Sequence, residues 1–428
     1  MFISLIGCIV PRIVSHAKAL RRQPPRVPAR LDRLAAHASM TTSASAAEVS
    51  QRAQQWLTSH RYRFVVDDDG SLRAEAGRHR ETGNLVFHIF LVLVLVGVGW
   101  NTLWGFKGTS VVVEGQGFSN SITQYDEFKA GAMVDTDNLT PFSMKLRKFV
   151  VSFETGTVQR GAARSFDATV DLTMGGKTQT RDLQVNHPLR IGSTKVHLLG
   201  HGYAADVVVR DGDGKVAYSG PVVFLPQDAN FKSVGVIKVP DARPDRLAFQ
   251  GFFLPTGAIT AGGPTSLFPD ALNPQLYLTA WYGKPTVETG VPSNIYTLDT
   301  TGLTQVTNGK DKARFVLSPG QRYKLPDGKG SIQFNGWQRW AKIQVSQNPG
   351  LPLTFLSVVL SVAGLCVSLF SRSRRVWVRT IPGDDGLRVE IGGLDRSDSR
   401  SGAVDDVNSL LAALHGDSMS GDVGEEHS

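Results

Sequence analysis

The sequence predicts a membrane protein in which transmembrane α-helices anchor a large all-β extracytoplasmic domain and carry a small cytoplasmic α+β module. Three observations support this prediction. Two apolar segments, Asn84–Leu103 and Leu351–Phe370, are each about 20 residues long, the length at which a helix spans the hydrocarbon core of a membrane. Short alternating segments separated by turn residues fill the region between them. Arginines stand before the first apolar segment and after the second, which puts both of these ends on the cytoplasmic side.

Composition narrows the classes of protein to which this chain can belong. Its 44 glycines and 21 prolines suit a turn-rich β protein. The net charge of +8 is concentrated locally, because residues 11–83 hold 13 Lys or Arg against 7 Asp or Glu. A basic patch can indicate nucleic-acid binding, but the preference of basic residues for the cytoplasmic ends of membrane helices explains this one more simply. We therefore expect a membrane as a partner and no nucleic acid.

The sequence contains no motif that indicates a stand-alone enzyme. The two cysteines, Cys8 and Cys366, lie in apolar segments, so neither thiol exchange nor structural zinc is expected. Segment 175–178 resembles the end of a phosphate-binding loop and segment 211–214 resembles a calcium loop. Both lack the remaining residues of those motifs and are better explained as turns. The sequence has neither GxSxG nor HExxH, and we predict no catalytic residue.

The predicted domain organisation has six parts. The first ten residues are apolar, but a segment of this length is too short to span a membrane. We interpret it as the remnant of a transmembrane helix, which is expected to end at Pro11. The C-terminus is rich in Ser, Asp and Gly and is expected to be partly disordered. The predicted boundaries are 1–10 for the helix remnant, 11–83 for a cytoplasmic segment with a small helix–hairpin module, 84–105 and 351–370 for the transmembrane helices, 106–350 for the extracytoplasmic β domain and 371–428 for the cytoplasmic tail.

Hydrophobic periodicity predicts the individual elements. The two cytoplasmic segments are expected to contain helices and short strands, at Ala46–Ser59, Tyr62–Val66, Leu72–Ala76, Arg388–Ile391 and Val404–Leu414. Trp377 is expected at the membrane interface. The β domain is expected to be a sandwich or a distorted barrel, with strands at Val111–Glu114, Phe142–Phe153, Ser165–Met174, Thr178–Val185, Thr194–Leu199, Ala204–Arg210, Ala217–Leu225, Val234–Val239, Leu247–Leu254, Leu276–Tyr282 and Ile332–Trp340.

Four histidines are candidates for a functional role. His88 lies one turn inside the cytoplasmic end of the first long helix, where an ionisable side chain is unfavourable without a partner. It can ligate a metal or move protons, or it can reach the headgroups or bond to a neighbouring helix. His187, in the segment VNHPL, is either functional or part of an exposed turn. His197 and His201 are four residues apart in a strand-like segment, which would put both on one face, but no third metal ligand accompanies them.

Several longer motifs occur in a definite order along the chain. They are RETGNLVFHIFLVLVLV, EGQGFSNSITQYD, VNHPLRIGSTKVHLLGHGYA, PVVFLPQD, GVIKVPDARP and the closing RSRRVWVR. In sequence and order they resemble the actinobacterial branch of the ResB family, the cytochrome c biogenesis proteins of the System II pathway. The resemblance extends from Met1 to Leu394, nearly the whole chain.

The resemblance implies a subunit of the System II cytochrome c synthase, a haem-attaching complex, that is not catalytic alone. The implied partners are a polytopic ResC-like membrane protein, apocytochrome c and haem b, which is transported or attached. The implied location is the bacterial plasma membrane, as a multi-pass protein with its large domain outside. His88 matches the intramembrane histidine of the family, and His187 matches the histidine of its VNHPL-like motif. Both are expected to bind the cofactor, and the only metal ligation expected is that of haem iron by His88.

Two features depart from the family pattern. The chain begins inside what would be the second membrane helix, and a misassigned start codon or a shortened protein would each explain this. Asn348-Pro349-Gly350 stands where relatives often carry Asp-Pro-Gly, and this segment is expected only to shape a turn. Two other functions stay open on the residues: a membrane-anchored extracytoplasmic binding or sensing module without haem, and a structural membrane scaffold.

Overall fold

A computed structural model of the protein describes residues 2–285, 296–383, 386–395 and 401–415. These ranges contain α-helices, two short 3-10 helices (Ile122–Gln124 and Pro326–Gly328) and many β-strands. The α-helices are α1 (Phe2–Arg21), α2 (Ala46–Ser59), α3 (His79–Trp104), α4 (Leu351–Phe370) and α5 (Ser401–His415). The strands are β1 (Ala36–Thr42), β2 (Arg63–Val66), β3 (Leu72–Ala76), β4 (Phe106–Val113), β5 (Gly117–Ser119), β6 (Glu127–Ala130), β7 (Ser143–Phe153), β8 (Ala163–Met174), β9 (Lys177–Gln184), β10 (Leu189–Ile191), β11 (Thr194–Arg210), β12 (Val216–Pro226), β13 (Ser233–Val239), β14 (Arg246–Leu254), β15 (Gly257–Thr260), β16 (Gly263–Ser266), β17 (Gln275–Gly283), β18 (Thr304–Gln305), β19 (Thr307–Asn308), β20 (Asp311–Lys312), β21 (Arg314–Leu317), β22 (Arg322–Lys324), β23 (Ser331–Gln347), β24 (Arg374–Gly383) and β25 (Gly386–Asp395).

The chain divides into two compact units. The terminal unit comprises Met1–Trp100 and Gly350–Ser428, and the central unit comprises Asn101–Pro349. Within the described ranges, α3 and α4 are the helices long and apolar enough to cross a membrane. The prediction of a mostly β protein with two long apolar helices is thus confirmed. Every strand predicted between those helices overlaps an observed strand, and Thr194–Leu199 and Ala204–Arg210 both belong to the long strand β11.

Helix α1 differs from its prediction. It runs from Phe2 to Arg21 and continues through Pro11, which was expected to end it. A proline removes one backbone hydrogen bond and disturbs the preceding turn, but the turns on either side keep their own bonds. Further along α1, His16 Nε2 lies 2.9 Å from Thr82 Oγ1 of α3. The helix therefore does not end at residue 10.

The terminal unit contains one antiparallel sheet built from both ends of the chain, in the order β1-β25-β24-β3-β2. The sequence predicted the hairpin of β2 and β3 and part of β25, but it gave no sign that these strands share a sheet. Trp377, expected at a membrane interface, is instead a buried residue of β24 whose indole N–H donates to Pro25 O over 3.0 Å. The predicted helix Val404–Leu414 is confirmed as part of α5, and the remaining tail lies outside the described residues.

Helix α5 is held to this sheet by a buried polar contact. Arg374 of β24 donates to both carboxylate oxygens of Asp406, over 2.9 and 2.7 Å, and the Tyr62 hydroxyl donates to the same carboxylate over 2.6 Å. Both arginine bonds come from the single nitrogen Nη1, and hydrogen bonds between ionised groups are stronger than those between neutral ones. Around it, apolar residues of α2, α5 and the sheet form one core, which includes Trp56, Val376 and Leu410.

The central unit contains a large curled sheet and a smaller sheet that packs on part of it. The large sheet follows the path β18-β17-β14-β13-β12-β11-β23-β4-β6, with β10, β21 and β22 attached to β11, β17 and β23. The smaller sheet has the order β5-β7-β8-β9. One core, around Phe149, Val170 and Ile343, lies between the two sheets, and a second core, around Tyr203, Phe249 and Phe334, fills the curl of the large sheet.

Strands β11 and β23 connect these two cores. Each has 17 residues, and they pair antiparallel from Thr194↔Gln347 to Arg210↔Ser331. The pairing shifts register twice, once between Leu198 and Gly200 and once between Asp206 and Val207. Such bulges bend a strand and increase its twist, which allows one pair of strands to serve both cores.

Helices α3 and α4 of the terminal unit pack at unusually close range. A Cβ added at Gly83 would lie 2.6 Å from Gly364 O, and one added at Gly364 would lie 2.8 Å from Phe87 N. A Cβ at Gly97 would lie 2.4 Å from Thr354 Oγ1 and 2.9 Å from its backbone nitrogen. Small residues are the general means by which membrane helices approach closely. Gly97 takes part in this close approach, whereas a Cβ added at Gly99, two residues later, would have open space around it.

The pair Gly97 and Gly99 allows a matched test of this contact. Gly97→Ala is expected to reduce the free energy of unfolding by about 1–3 kcal/mol, the usual cost of overpacking, because the new methyl group meets the backbone of α4. Gly99→Ala adds the same atom two residues away and is expected to leave stability unchanged. Unfolding of the purified protein in detergent with increasing SDS measures both. Equal losses in the two variants would contradict the assigned helix contact.

Candidate functional site

His88 is held by its own helix in one defined tautomer. Its ring nitrogen Nδ1 lies 2.7 Å from the carbonyl oxygen of Asn84, one turn earlier in α3. Because a carbonyl oxygen only accepts, Nδ1 carries the proton and donates it. The other ring nitrogen, Nε2, therefore presents its lone pair, which is the form of imidazole that ligates metal ions. The ring of Phe87 packs edge-on against the imidazole at a centroid distance of 5.1 Å.

The face of α3 that carries His88 differs from the faces that pack on other helices of the terminal unit. Helix α4 contacts α3 at Gly83 and at the backbone of Phe87, where Ser361 Oγ donates to Phe87 O over 3.4 Å. Helix α1 contacts α3 at Thr82. At about 100° per residue, His88 lies about 140° around the helix axis from Gly83 and about 120° from Thr82. The imidazole is thus directed away from both neighbouring helices.

Basic residues near the same end of α3 differ in their availability. Arg78 is engaged within the protein, since Nε lies 3.3 Å from Glu75 Oε1 and the guanidinium also donates to the carbonyl of Ala19. His79 is exposed, and Arg80 is half-buried. Of these three residues, Arg78 is thus the one that already has two partners within the protein.

His187 lies in an exposed turn of the central unit between β9 and β10. Its backbone N–H donates to Gln184 O over 3.2 Å, and its Nδ1 lies 3.3 Å from Val185 O. The preceding Asn186 has a φ of 65°, a left-handed conformation that asparagine tolerates. By the same reasoning as for His88, Nδ1 is the donor and Nε2 points its lone pair outward.

His197 and His201 do not share a face of their strand, contrary to the expectation from their spacing. Leu199 is the extra residue of the β-bulge in β11, because Leu198 pairs with Ile343 while Gly200 pairs with Lys342. An extra residue reverses the alternation of side chains beyond it. His197 and His201 therefore lie on opposite faces of the sheet. No group of three or more His, Cys, Asp or Glu side chains suited to a metal ion occurs among the described residues.

His201 instead lies in an aromatic box that sequence reasoning did not detect. Its ring is 91% buried, and the box consists of Phe149, Phe153, Phe166 and Phe231, with ring-centroid distances of 5.9, 6.2, 5.1 and 4.6 Å. His201 Nδ1 has no hydrogen-bond partner within the part of the chain that the structure describes. A sequence signal was present, since Gly200 and Gly202 flank the histidine, and glycine inside a strand marks a bulge or a close backbone approach.

A second buried polar side chain lies beside His201 on the same face of the sheet. Arg339 pairs in register with Tyr203, two residues along from His201, and is 94% buried. Its Nη2 donates to Asp270 Oδ1 over 2.7 Å, whereas its Nη1 has no partner among the described residues. The rings of Tyr203 and Trp337 lie 4.9 and 5.6 Å from the guanidinium carbon. Burial, and then the charge of Arg339, lowers the pKa of His201 to about 4, so this imidazole is neutral at pH 7.

Comparison with known proteins gives one family. Residues 1–404 match the model of the ResB-like family. The chain is 24% identical over 316 residues to a protein of Synechococcus sp. (strain JA-3-3Ab) named cytochrome c biogenesis protein CcsB. The matched residues are 73% of this chain and 55% of the relative. Proteins of the same name from Picosynechococcus sp. (strain ATCC 27264 / PCC 7002 / PR-6) and Synechococcus sp. (strain WH7803) are 28% and 23% identical, over 31% and 86% of this chain and 27% and 69% of the relatives. The chain thus spans about half the length of the first of these relatives.

The lowered pKa of His201 predicts a pH dependence of stability. The unfolded chain binds a proton near the ordinary pKa of 6.5, whereas the folded protein binds it only near 4, so stability is lost as the pH falls below 6.5. Between pH 7 and pH 5 this loss is expected to be about 2 kcal/mol. In His201→Phe that part of the pH dependence should vanish, while Phe166→Leu should lower stability equally at both pH values. Denaturant unfolding of the purified protein at pH 7 and pH 5 measures the free energy of unfolding at each pH. If the difference between the two values were the same in His201→Phe as in the unchanged protein, the prediction would be wrong.

Proposed function

Because the chain belongs to the ResB-like family, we propose that it works in cytochrome c biogenesis, as a subunit of the System II cytochrome c synthase that handles haem across the membrane. The names of its relatives, cytochrome c biogenesis proteins, support the general role. In this role the chain takes haem b at the inner face of the membrane. It then presents haem, together with apocytochrome c, for thioether attachment outside.

The orientation belongs to the same proposal. Arginines stand at the start of α3 and after α4, at Arg78, Arg80, Arg372, Arg374 and Arg375, so the five-stranded sheet of the terminal unit, with α2 and α5, is assigned to the cytoplasmic side and the central unit to the outside. Reaction of an impermeant thiol reagent with a cysteine placed at the exposed Ser219 of the central unit, on intact cells, tests the assignment.

His88 is the proposed ligand of the haem iron. The single observation that supports this most directly is the contact between Nδ1 and Asn84 O, because it leaves Nε2 free to donate its lone pair. Haem iron commonly takes a neutral imidazole as axial ligand. A hydrogen bond from the opposite ring nitrogen orients the ring and makes it a better donor. A histidine whose only role was to satisfy its own polar atoms within a helix bundle would instead direct Nε2 at α1 or α4.

The direction of His88 also indicates where the second part of the site comes from. Since α1 and α4 pack on other faces of α3, the His88 face is open to a helix of another protein. We assign that helix to a ResC-like polytopic partner, which would supply the opposite axial ligand. Haem held between two proteins by one ligand from each can be passed on without complete dissociation from both.

His187 is assigned a later step, at the outer side. It lies in an exposed turn of the central unit with Nε2 directed to solvent, where a partner protein or haem edge can approach it. The turn is fixed by the left-handed Asn186 and by the contact between Gln184 and His187. An exposed, rigidly held imidazole suits the reception of haem or of apocytochrome c.

Replacing His88 tests the proposed iron ligand. His88→Ala, co-expressed with the ResC-like partner, is expected to lose the haem absorption band of the purified complex and all cytochrome c maturation, because alanine cannot coordinate iron. Alanine is well tolerated in a membrane helix, so protein abundance should stay unchanged. His16→Ala is the matched control, since it removes a histidine whose imidazole is bonded to Thr82, and it should keep the haem band.

Added imidazole sharpens this experiment. It can enter the space left in His88→Ala, supply the missing nitrogen and restore part of the haem band and of the maturation. A histidine with a purely structural role would give a different pattern, in which abundance falls and imidazole has no effect. Full haem content and full maturation in His88→Ala would refute the ligand assignment.

Replacing His187 should separate attachment from haem uptake. His187→Ala is expected to reduce covalently attached cytochrome c several-fold while the haem held by the complex stays near its normal amount, because His187 lies outside the haem entry site. Haem staining of cytochrome c and the absorption spectrum of the complex report the two quantities separately. A normal amount of covalently attached cytochrome c in this variant would show that His187 is only part of a surface turn and has no role in attachment.

A further inference from the structure

Helix α1 carries an arginine whose charge has no partner among the described residues. Arg12 lies in the middle of the helix, is exposed, and makes no hydrogen bond or ion pair with any residue that the structure describes. Its neighbours Val10, Ile13 and Val14 are 53%, 38% and 49% exposed. Exposed apolar side chains at this density suit a lipid environment. An unpaired charge is costly there and indicates a functional role.

Helix α1 runs antiparallel to α3 within the terminal unit. His16 Nε2 lies 2.9 Å from Thr82 Oγ1. Three residues later in α1, the carbonyl of Ala19 accepts from the guanidinium of Arg78, which lies four residues earlier in the sequence than Thr82. Since successive contacts proceed in opposite directions along the two segments, residues that precede His16 lie beside the apolar run of α3 that follows Thr82. Arg12 is one of them.

Arg12 and His88 lie at nearly the same depth and on the same side of this helix pair. At about 1.5 Å per residue, Arg12 lies about 6 Å from the His16–Thr82 contact and His88 about 9 Å from it, both in the direction of the apolar run. At about 100° per residue, His88 lies about 120° from Thr82 against the winding sense of α3, and Arg12 lies about 40° from His16 against that of α1. In antiparallel helices, rotations of the same sense lead to the same side of the pair.

The face of α3 that carries His88 has no cation of its own at this depth. Glu81, seven residues before His88, lies about 20° from it around the helix and is exposed. Arg80 lies about 12 Å from His88 along the helix axis, and Arg78 already has two partners. Among the described residues of α1, α3 and α4, Arg12 is the basic side chain at the depth of His88.

We propose that Arg12 binds a propionate carboxylate of the haem whose iron His88 ligates, so that α1 and α3 together form the haem-binding site of this chain. This inference rests on the proposed function and deepens it, because it adds the group that recognises the carboxylates of the cargo. A guanidinium binds a carboxylate through two parallel hydrogen bonds, which are specific in geometry as well as strong. Arg12 is exposed and His88 is half-buried, so both are accessible without any movement of the chain.

A lipid phosphate is the other anion that can pair with Arg12, because a long basic side chain can extend to the headgroups. Hemin and hemin dimethyl ester separate the two anions, since the ester keeps the iron and the ring but has no carboxylate charge. The full-length chain is purified in nanodiscs of zwitterionic lipid, and histidine-ligated hemin and ester are titrated by absorption. We expect Arg12→Gln to weaken hemin binding about tenfold, the value of one charge-assisted hydrogen bond, and to leave ester binding unchanged.

Three variants serve as controls. Arg12→Lys keeps the charge but not the paired hydrogen bonds, so its affinity for hemin should lie between those of Arg12→Gln and the unchanged protein. Lys18→Gln removes a positive charge from the same helix, about 9 Å from Arg12 and on the other side of His16, and should bind both compounds normally. His88→Ala should lose histidine ligation of both, because bonding to iron does not depend on the carboxylates. Normal ester binding in Arg12→Gln shows in itself that this variant is folded.

The outcomes separate this inference from the proposed function. Equal hemin affinity in Arg12→Gln and the unchanged protein would overturn the inference, assign Arg12 to lipid phosphate and leave the role of His88 untouched. An equal loss of hemin and ester binding would also overturn it, since Arg12 would then act on the structure and not on the carboxylate. Absence of histidine-ligated hemin in the unchanged chain would overturn it as well.

The proposed function can fail while this inference stands. If His88→Ala kept histidine-ligated hemin and Arg12→Gln still weakened hemin but not ester, the carboxylate site at Arg12 would be supported. The assignment of His88 as the iron ligand would then be wrong.

Discussion

The rest of the structure depends on the antiparallel pairing of two chain segments that are far apart in the sequence. In the terminal unit, α3 packs against α4 with backbone contacts at Gly83 and Gly364, and the adjoining strands β3 and β24 pair from Ala76↔Arg374 onward. In the central unit, the continuations of the same segments, β4 and β23, pair from Phe106↔Gln347 onward. Gly77 marks how tight the constraint is, because a Cβ there would lie 1.7 Å from the backbone oxygen of Arg372.

This pairing explains why the two ends of the chain form one sheet. Close contact between α3 and α4 brings their ends, and thus β3 and β24, into hydrogen-bonding distance. The loop-closure entropy of bringing the two distant chain segments together is therefore shared by the helix contact and the strand pairing. Strand β25 and helix α5 then follow by short connections, and Arg374 with Asp406 fixes α5 on the sheet. The stability of the terminal unit is therefore coupled to helix packing. A change at a glycine of α3 reaches the sheet through the backbone and needs no contact with it.

Local pattern was sufficient to predict elements but not their partners. The apolar stripe Val49, Ala53, Trp56 and Leu57 gave the bounds of α2 correctly, since its Ser45–Glu48 capping box and its periodicity are local properties. The sheet that joins β1 and β25 depends on contacts between residues more than 300 positions apart, which no window of sequence contains. A local signal can also mislead: proline usually ends a helix, but α1 continues through Pro11 because the turns on either side keep their own hydrogen bonds.

The same contrast between local pattern and long-range contact applies to the candidate site residues. His88 was recognisable because an ionisable residue in an apolar run is a local anomaly, and His187 because of the motif around it. His197 and His201 were expected on one face of the sheet, and this was wrong because one bulge residue, Leu199, reverses the side-chain alternation between them. Whether a bulge exists is decided by the partner strand β23. The signal that remained in the sequence, a histidine between two glycines, indicates that the backbone is unusual there but not which face the histidine takes.

His88, His187 and His201 differ in how their imidazole rings are held. Nδ1 of His88 and of His187 each faces a backbone carbonyl, so in both residues Nε2 is the only nitrogen left for a ligand. His201 has no such anchor, and its orientation is set by ring contacts alone. On the proposed function, a carrier must hold iron strongly enough to capture haem and weakly enough to release it. A site with one imidazole would meet this condition, because the opposite side of the iron stays open to the next ligand, which can bond before the first one leaves.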